Sequence, residues 1–537
     1  MAKLESHLDT RTDDYASNRS ALLERIEEVR TLEAAVRGHG EKRRAKFEGR
    51  GQLIPRERVE HLLDPGSDFL ELSTLAGLNM HDDKGGDGAM GGGNICGLGF
   101  VGGRRTLVTA NDAAIKGGTI APMGLEKTLR AQEIAMSERL PSVSLVESGG
   151  ANLMYQSEIF VPGGRVFCNM ARASAMGLPM ITVVHGNATA GGAYMPGLSD
   201  YVIAVRDRAK IFLAGPPLVQ AAIGEESTDE ELGGAEMHAT VSGLVEYVAD
   251  DDAHGIALAR ELMSKLRWDD HRDRLLDFEP PAYDAEELLG LVPADPRHPY
   301  DAREIVSRIV DGSDFLEFKA GFGAEILCGH ALIEGHPVAL IGNNGPIQPD
   351  GSAKAGQFIQ LCCQSGTPII YLQNTTGYMV GKAAEQRGAI KHGAKMIQAV
   401  ANATVPQITL IVGGGFGAGY YGMCGRGFDP RFIFAWPCAQ VAVMGGAQAA
   451  TVMQIITRAK FERQGMPLND EMLVAMSDEI RKMLDREAAA LFGTARIWDD
   501  GIIDPRDTRR ILAFTLATCR EAAARTLRPN TFGVARL

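Results

Sequence analysis

Two glycine-rich loops are the residues of this chain best suited to chemistry: Thr189-Ala190-Gly191-Gly192-Ala193-Tyr194 and Phe416-Gly417-Ala418-Gly419-Tyr420-Tyr421. Each follows an apolar, β-rich run (MITVVHG and QITLIVG) and should open a helix. A loop so placed presents backbone N–H groups at the positive end of a helix dipole, and small residues let a ligand oxygen approach them. Two N–H groups converging on one oxygen form an oxyanion hole, which favours a carbonyl turning into an enolate. A glycine turn also serves plain close packing of helix on strand, and one loop alone does not separate these readings. Two loops at equivalent places favour the chemical one.

The elements that position these loops occur twice. RERVEHLLDPGSDFLE (Arg56 to Glu71) returns as REIVSRIVDGSDFLE (Arg303 to Glu317). LPSVSLVESGG (Leu140 to Gly150) is echoed by TPIIYLQNTTG (Thr367 to Gly377), and LPMITVVHGNATAGGAY (Leu178 to Tyr194) by VPQITLIVGGGFGAGYY (Val405 to Tyr421). From Pro141 and Pro368 to Tyr194 and Tyr421 the offset stays at 227 positions without a gap. A register held that long is a tandem duplication. In each copy an apolar run (SLVES; IIYLQ) ends in a glycine turn and leads to a helical segment, RVFCNMARASAMG or AIKHGAKMIQAVANA. Strands alternating with helices predict an α/β fold with parallel pairing. The expected organisation is a helical N-terminal arm over residues 1–50, a first domain over 51–280, a proline- and acid-rich linker over 281–300 and a second domain over 301–537.

Composition narrows the classes. A chain of 537 residues, 45% hydrophobic and 23% charged, has material for more than one core. Its 63 glycines exceed the usual ~7% share, as a chain with many sharp turns and close backbone approaches requires. A net charge of -13 argues against nucleic acid as a partner. The eight cysteines form no CxxC pair, so neither a zinc ribbon nor any other metal site is expected. The polar N-terminus and the absence of a long apolar run predict no signal peptide, no membrane span and a cytoplasmic protein. Neither loop completes GxGxxG, and there is no Walker motif, GxSxG elbow or readable Ser/His/Asp triad.

Seven segments carry a resemblance to a known family: VESGGANL (Val146 to Leu153), TAGGAYMPGLSD (Thr189 to Asp200), FLAGPPLVQAAIGEE (Phe212 to Glu226), LGGAEMHATVSG (Leu232 to Gly243), GGGFGAGYYGMCGR (Gly413 to Arg426), AWPCAQVAVMGG (Ala435 to Gly446) and DDGIIDPRDTRR (Asp499 to Arg510). They run in family order over roughly residues 20 to 537. The chain resembles the carboxyltransferase (β) subunits of biotin-dependent acyl-CoA carboxylases, and NDAAIKGGT with TAGGAY is most similar to the 3-methylcrotonyl-CoA and geranyl-CoA branch. The resemblance implies a tandem pair of crotonase-like ββα-superhelix domains. It also implies an N-terminal domain that holds acyl-CoA, a C-terminal domain that holds biotin, and active sites between domains of two subunits.

Carried over by motif, Gly191 and Gly192 would donate N–H groups to the thioester enolate, and Ala418 and Gly419 to the ureido oxygen of biotin. In the family, carboxybiotin releases carbon dioxide, the biotin enolate takes the acyl proton, and the substrate enolate captures the carbon dioxide. Lys116, Gly117, Gly118 and Ala190 match segments near the acyl-CoA; Lys116 meets a phosphate or the carboxyl product, or is a solvated lysine beside a turn. Phe416, Gly417 and Tyr421 fall on the biotin side. Tyr194 and Tyr421 are expected as aromatic walls, His238 as a hydrogen-bonded orienter beside the site, and Lys391 as structural.

One stretch departs from the pattern. Where 3-methylcrotonyl-CoA enzymes carry HFGR, this chain has Val161-Pro162-Gly163-Gly164-Arg165, with Gly163 at the place of their phenylalanine. Either the glycine opens an acyl pocket to a longer chain such as geranyl, or the segment is rearranged and something else fills the gap. The chain shows no ATP-grasp region and no biotinylation motif, so the resemblance implies a biotinylated biotin carboxylase (α) partner, with CoA entering as part of the substrate and a hexameric core of such chains. Two other functions stay open: the decarboxylase subunit of a biotin-dependent sodium pump, and a biotin-independent crotonase-type CoA enzyme.

Overall fold

The computed structural model describes residues 3–86, 90–268, 277–293, 298–343, 345–464 and 470–534. The chain divides into two compact units. One comprises residues 30–272, 495–497 and 518–537, the other residues 1–29, 273–494 and 498–517. Part of the expected linker, residues 294–297, lies outside the described residues.

The first unit is built on β1 (Leu70–Glu71), β2 (Asn94–Val101), β3 (Arg104–Asn111), β4 (Ser142–Ser148), β5 (Met180–Thr189), β6 (Tyr201–Val205), β7 (Lys210–Phe212) and β8 (Tyr247–Ala249). They form one sheet in the order β1-β2-β3-β4-β5-β6-β8, with β7 paired to the far end of β5. From β3 onward the pairing is parallel, and the strands read as nearly continuous apolar runs because both faces are covered. The β2–β3 hairpin turns on Gly102 and Gly103, both at positive φ (54° and 82°), as a two-residue turn with the right twist demands. Asp64 accepts both of that turn's N–H groups, at 2.9 and 2.7 Å. One core packs Ile95, Val143, Ile181 and Ile203 of the sheet against Val59 and Leu62 of the helix Pro55–Leu62 and Ile256 of the helix Asp252–Lys265.

The second unit repeats this with β9 (Leu316–Glu317), β10 (Ile326–Ile333), β11 (His336–Asn343), β12 (Ile369–Thr375), β13 (Gln407–Phe416), β14 (Phe432–Ala435) and β15 (Gln440–Ala442). The order is β14-β13-β12-β11-β10-β9, with β15 on the far end of β13. The two loop-bearing strand pairs match residue for residue. β4 and β5 lose register between Val146 and Ser148, and β12 and β13 between Gln373 and Thr375. These irregularities re-aim the strand ends where the glycine loops begin.

Polar anchors are duplicated as well. Arg56 pairs with Glu71 at 2.9 Å, and Arg303 with Glu317 at 2.7 Å. Asp311 accepts the N–H groups of Glu334 and Gly335 in the second hairpin, as Asp64 does in the first. Lys127, on the helix Pro122–Ser137, is fully enclosed and donates to the carbonyls of Asn94 (2.8 Å) and Gly91 (3.2 Å). Lys354, on the helix Pro349–Ser365, reaches the carbonyls of Ile326 (2.7 Å) and Gly323 (3.5 Å) in the same way. Burial pulls both lysines below the ordinary amine range. Each ties a helix to the start of the strand beneath it. The fold is therefore a mixed α/β duplication of the crotonase-like kind.

Candidate functional site

The first loop begins where β5 ends. Ala190 takes the left-handed region at φ 53°, and Ala190–Ala193 form a 3-10 turn that leads into the short helix Tyr194–Gly197. The first N–H groups of such a turn have no partner within it, so those of Gly191 and Gly192 are available to a ligand. A Cβ on Gly192 would stand 3.2 Å from both Cβ and Oγ of Ser148, so glycine lets this turn lie close against the end of β4. Ser148 Oγ in turn accepts the Gly150 N–H at 3.2 Å.

Gly191 and Gly192 line a cavity of about 580 Å³, with Gly118 and Gly163 on the same wall. Most of the remaining lining is apolar, including Ile120, Leu125, Phe160 and Phe167. Gly163 lies within a helix, Gln156–Met176, and not in a loop ahead of one. Ile159, Val166 and Met170 give that helix a buried stripe that carries it through Pro162 and the two glycines. Beyond its chain neighbours and its own helix backbone, nothing stands within 4 Å of where a Cβ on Gly163 would be.

Lys116 and Gly117 face a second cavity of about 560 Å³, whose wall adjoins that of the first because Gly118 and Thr119 continue it. Its cations are Arg43, Lys46, Arg50, Lys116 and Arg208, with Glu147 and Asp207 the acids. Lys116 is ion-paired to Asp82, which also accepts the Tyr155 hydroxyl at 3.0 Å. Glu147 is answered from beneath by buried Arg58 at 2.7 Å. Arg58 also binds Asp252 at 3.0 Å, and Asp252 accepts from His185 Nδ1 at 2.9 Å. Burial, with the Arg58 charge adding to it, pulls the His185 imidazole below its ordinary range. Burial alone would raise the Asp252 carboxyl, but His185 and Arg58 outweigh it and hold the group below its usual range.

The second loop repeats the first in the other unit. Gly417 has φ 55° at the position of Ala190, and the helix Gly417–Gly422 follows directly. A Cβ on Gly419 would meet Gly377 Cα and Thr375 Oγ1 at 2.9 Å, the counterpart of Gly192 against Ser148. Ala418 stands where Gly191 does, Phe416 is buried, and Tyr421 is half exposed with its ring 5.9 Å from Phe428. Tyr194 is likewise half exposed, 5.4 Å from Phe167. Cys438 stands two residues before β15, as Arg208 stands two residues before β7.

His238 is buried, with Nε2 2.7 Å from the Ile211 carbonyl and Nδ1 2.7 Å from Ser242 Oγ. Ile211 pairs with Ala188 just before the first loop, so the ring braces β7 without entering either cavity wall. Lys391 is exposed on the helix Ala389–Ala401. Sequence reasoning missed Arg43, Lys46, Arg50 and Arg208; the basic run RRAKFEGR (Arg43 to Arg50) was the available signal. Among the described residues no group of three or more His, Cys, Asp or Glu side chains is placed to hold a metal ion, and no helix is long and apolar enough to cross a membrane.

A duplicated crotonase-like unit with a glycine loop at the end of each central strand fits a carboxyl-transferring enzyme of CoA esters. The carboxyl transferase domain model matches residues 47–533, and the chain belongs to that family. It is 46% identical over 536 residues to a probable biotin-dependent acyl-coenzyme A carboxylase beta2 subunit of Mycobacterium tuberculosis, covering 99% of this chain and 100% of that one. It is 44% identical to the probable mitochondrial methylcrotonoyl-CoA carboxylase beta chain of Drosophila melanogaster, covering 99% and 95%. Among solved structures, the geranyl-CoA carboxylase beta subunit of P. aeruginosa matches with a TM-score of 0.94 and 56% identity over 100% of both chains.

Proposed function

We propose that this β subunit of a biotin-dependent acyl-CoA carboxylase carboxylates a long, 3-methyl-branched acyl-CoA of the geranyl-CoA type. The observation that carries the reading is Gly163. It lines the apolar cavity that Gly191 and Gly192 share, and a Cβ placed on it would meet open space. The 56% identity to a geranyl-CoA carboxylase β subunit supports the same choice.

In this reading residues 51–280 form the acyl-CoA side and residues 301–537 the biotin side. The N–H groups of Gly191 and Gly192 donate to the thioester oxygen and gain strength as it becomes an enolate oxygen. The cations of the adjoining cavity, Arg43, Lys46, Arg50, Lys116 and Arg208, take the phosphates of CoA. Carboxybiotin, carried on an α subunit with the biotin carboxylase, supplies the carboxyl group. A neutral ureido ring fits the second loop, which is uncharged, with small residues at Gly417, Ala418 and Gly419 and a half-exposed aromatic ring at Tyr421. There the N–H groups of Ala418 and Gly419 face the ureido oxygen. A homo-oligomeric, hexameric core completes the proposal.

The test is carboxylation with the purified chain, its biotinylated partner, ATP and labelled bicarbonate, using acetyl-, propionyl-, 3-methylcrotonyl- and geranyl-CoA. Label on geranyl-CoA is expected, and Gly163→Phe should shift preference toward 3-methylcrotonyl-CoA by about 10- to 200-fold, the range for a lost pocket contact. Equal use of both esters by wild type and variant rejects the pocket reading. Loss of carbon dioxide from malonyl-type esters without any carboxylation rejects the carboxylase direction.

A further inference from the structure

The two cavities of the first unit meet at one turn. Lys116 and Gly117 face the cationic cavity and Gly118 the apolar one, so a ligand that occupies both must cross Lys116-Gly117-Gly118. All three residues are left-handed, at φ 46°, 65° and 73°. A Cβ on Gly118 would stand 1.9 Å from the Glu147 carbonyl oxygen, which shows how hard the turn lies against the end of β4. From the same strand end the Gly149 N–H donates to the Gly117 carbonyl at 3.1 Å. Lys116 carries a side chain in the left-handed region, a strained conformation that persists only where its surroundings hold it.

The hold comes from two consecutive residues of the segment before β2. Asp82 accepts from Lys116 Nζ and, at 3.0 Å, from the Tyr155 hydroxyl. His81 Nε2 lies 3.0 Å from Glu158 Oε2, and its ring meets that of Tyr155 edge-on, with centroids 4.9 Å apart. Tyr155 immediately precedes the helix Gln156–Met176 and Glu158 lies in its first turn. Phe160, Val161 and Gly163 of the same helix line the apolar cavity. One carboxylate thus joins the turn between the cavities to the helix that walls one of them. The bonds from Lys116 and Tyr155 hold the Asp82 carboxyl below its usual range. An ammonium has three donors, so Lys116 can keep Asp82 and still offer a proton to a phosphate oxygen in the cationic cavity.

We propose that Asp82 is a positioning residue for carboxylation. Through Lys116 and Tyr155 it fixes the turn that the thioester arm crosses against the helix that walls the acyl group, and so sets the thioester over the N–H groups of Gly191 and Gly192. This rests on the acyl-CoA reading of the two cavities. Asp82→Asn removes the carboxylate from Lys116 but leaves an oxygen for Tyr155, and Tyr155→Phe removes the other arm alone. The test measures calorimetric binding of free CoA to the chain, then kcat and KM with the biotinylated partner for whichever of the four esters wild type carboxylates fastest. Each variant should bind free CoA within about twofold of wild type and hold KM within about threefold, while kcat falls about tenfold or more, because misplacing the reacting group costs rate. The double variant should lie within about twofold of the slower single one, since both arms serve one alignment, and Asp82→Glu should recover part of kcat. Thermal midpoints should hold, because the Lys116–Asp82 pair is half exposed. A kcat within about twofold of wild type in both variants, with free CoA still bound, overturns the positioning role and leaves the CoA reading standing. So does a loss of free-CoA binding equal to the loss in kcat, the mark of a merely structural contact. Wild type that binds no free CoA overturns the CoA site and the positioning role together.

Discussion

At the residue scale, Ala190 and Gly192 make opposite predictions. Ala190 holds φ 53° with a side chain, where the second copy uses Gly417 at 55°. A left-handed non-glycine residue costs roughly 1–2 kcal/mol. Ala190→Gly should therefore raise the unfolding free energy by about 1 kcal/mol in denaturant melts, reduced by the added freedom of the unfolded chain. Carboxylation should be unchanged. Gly192→Ala should do the reverse: its Cβ would crowd Ser148 at 3.2 Å, and either Ser148 or the turn must shift by a few tenths of an ångström. Where the turn gives way, the N–H loses its aim and kcat should fall by up to ~10²–10³-fold, the effect of losing one oxyanion donor outright, while KM changes little. Both loops were legible in the sequence because glycine spacing after an apolar run is a local signal. The strain at Ala190 was not, since a backbone angle at an alanine leaves no mark in composition.

At the scale of elements, the Arg58 network fixes the helix Pro55–Leu62 against the ends of β4 and β5 through Glu147, Asp252 and His185. Removing one partner of a buried ionic group strands the others without compensation. Arg58→Ala should cost about 3–5 kcal/mol in chemical denaturation, and Arg58→Lys, which keeps charge without the fork, should recover part of it. Because burial lowers the His185 pKa in the folded chain, stability should fall as pH drops below the ordinary imidazole range, where the unfolded chain gains a proton the folded one resists. Strand positions were readable from the repeat, since β4 and β12, and β5 and β13, start and end at the same offset. The helix Gln156–Met176 was not, because Pro162-Gly163-Gly164 reads locally as a break. Burial of Ile159, Val166 and Met170 outweighs that local preference.

At the scale of the whole molecule, a chain of net charge -13 keeps a cationic cavity beside its first glycine loop. Arg43, Lys46 and Arg50 lie more than 150 positions from Arg208 in the chain, so no motif joins them and only the fold brings them together. Exposed ion pairs are each worth roughly 0.2–1 kcal/mol and are screened by salt. Arg43→Ala with Arg50→Ala should therefore raise KM for the acyl-CoA by about three- to tenfold at low ionic strength and leave kcat alone. The difference from wild type should shrink as salt is added. A KM unaffected by both substitutions and by salt would remove CoA from that cavity.

The paired lysines, Lys127 under one helix and Lys354 under the other, give the molecule a built-in reference. Any lesion designed for one copy has a twin address in the other, inside the same polypeptide, at the same expression level and in the same buffer. Lys127→Met and Lys354→Met should damage their units to a similar degree, because both lose the same carbonyl clamp. A matched pair such as Gly192→Ala and Gly419→Ala should disturb packing alike, yet separate the half of the reaction that handles the thioester from the half that handles the carboxyl donor. The ancestral doubling thus acts as an experimental control: what the twins share reports on architecture, and where they diverge is chemistry.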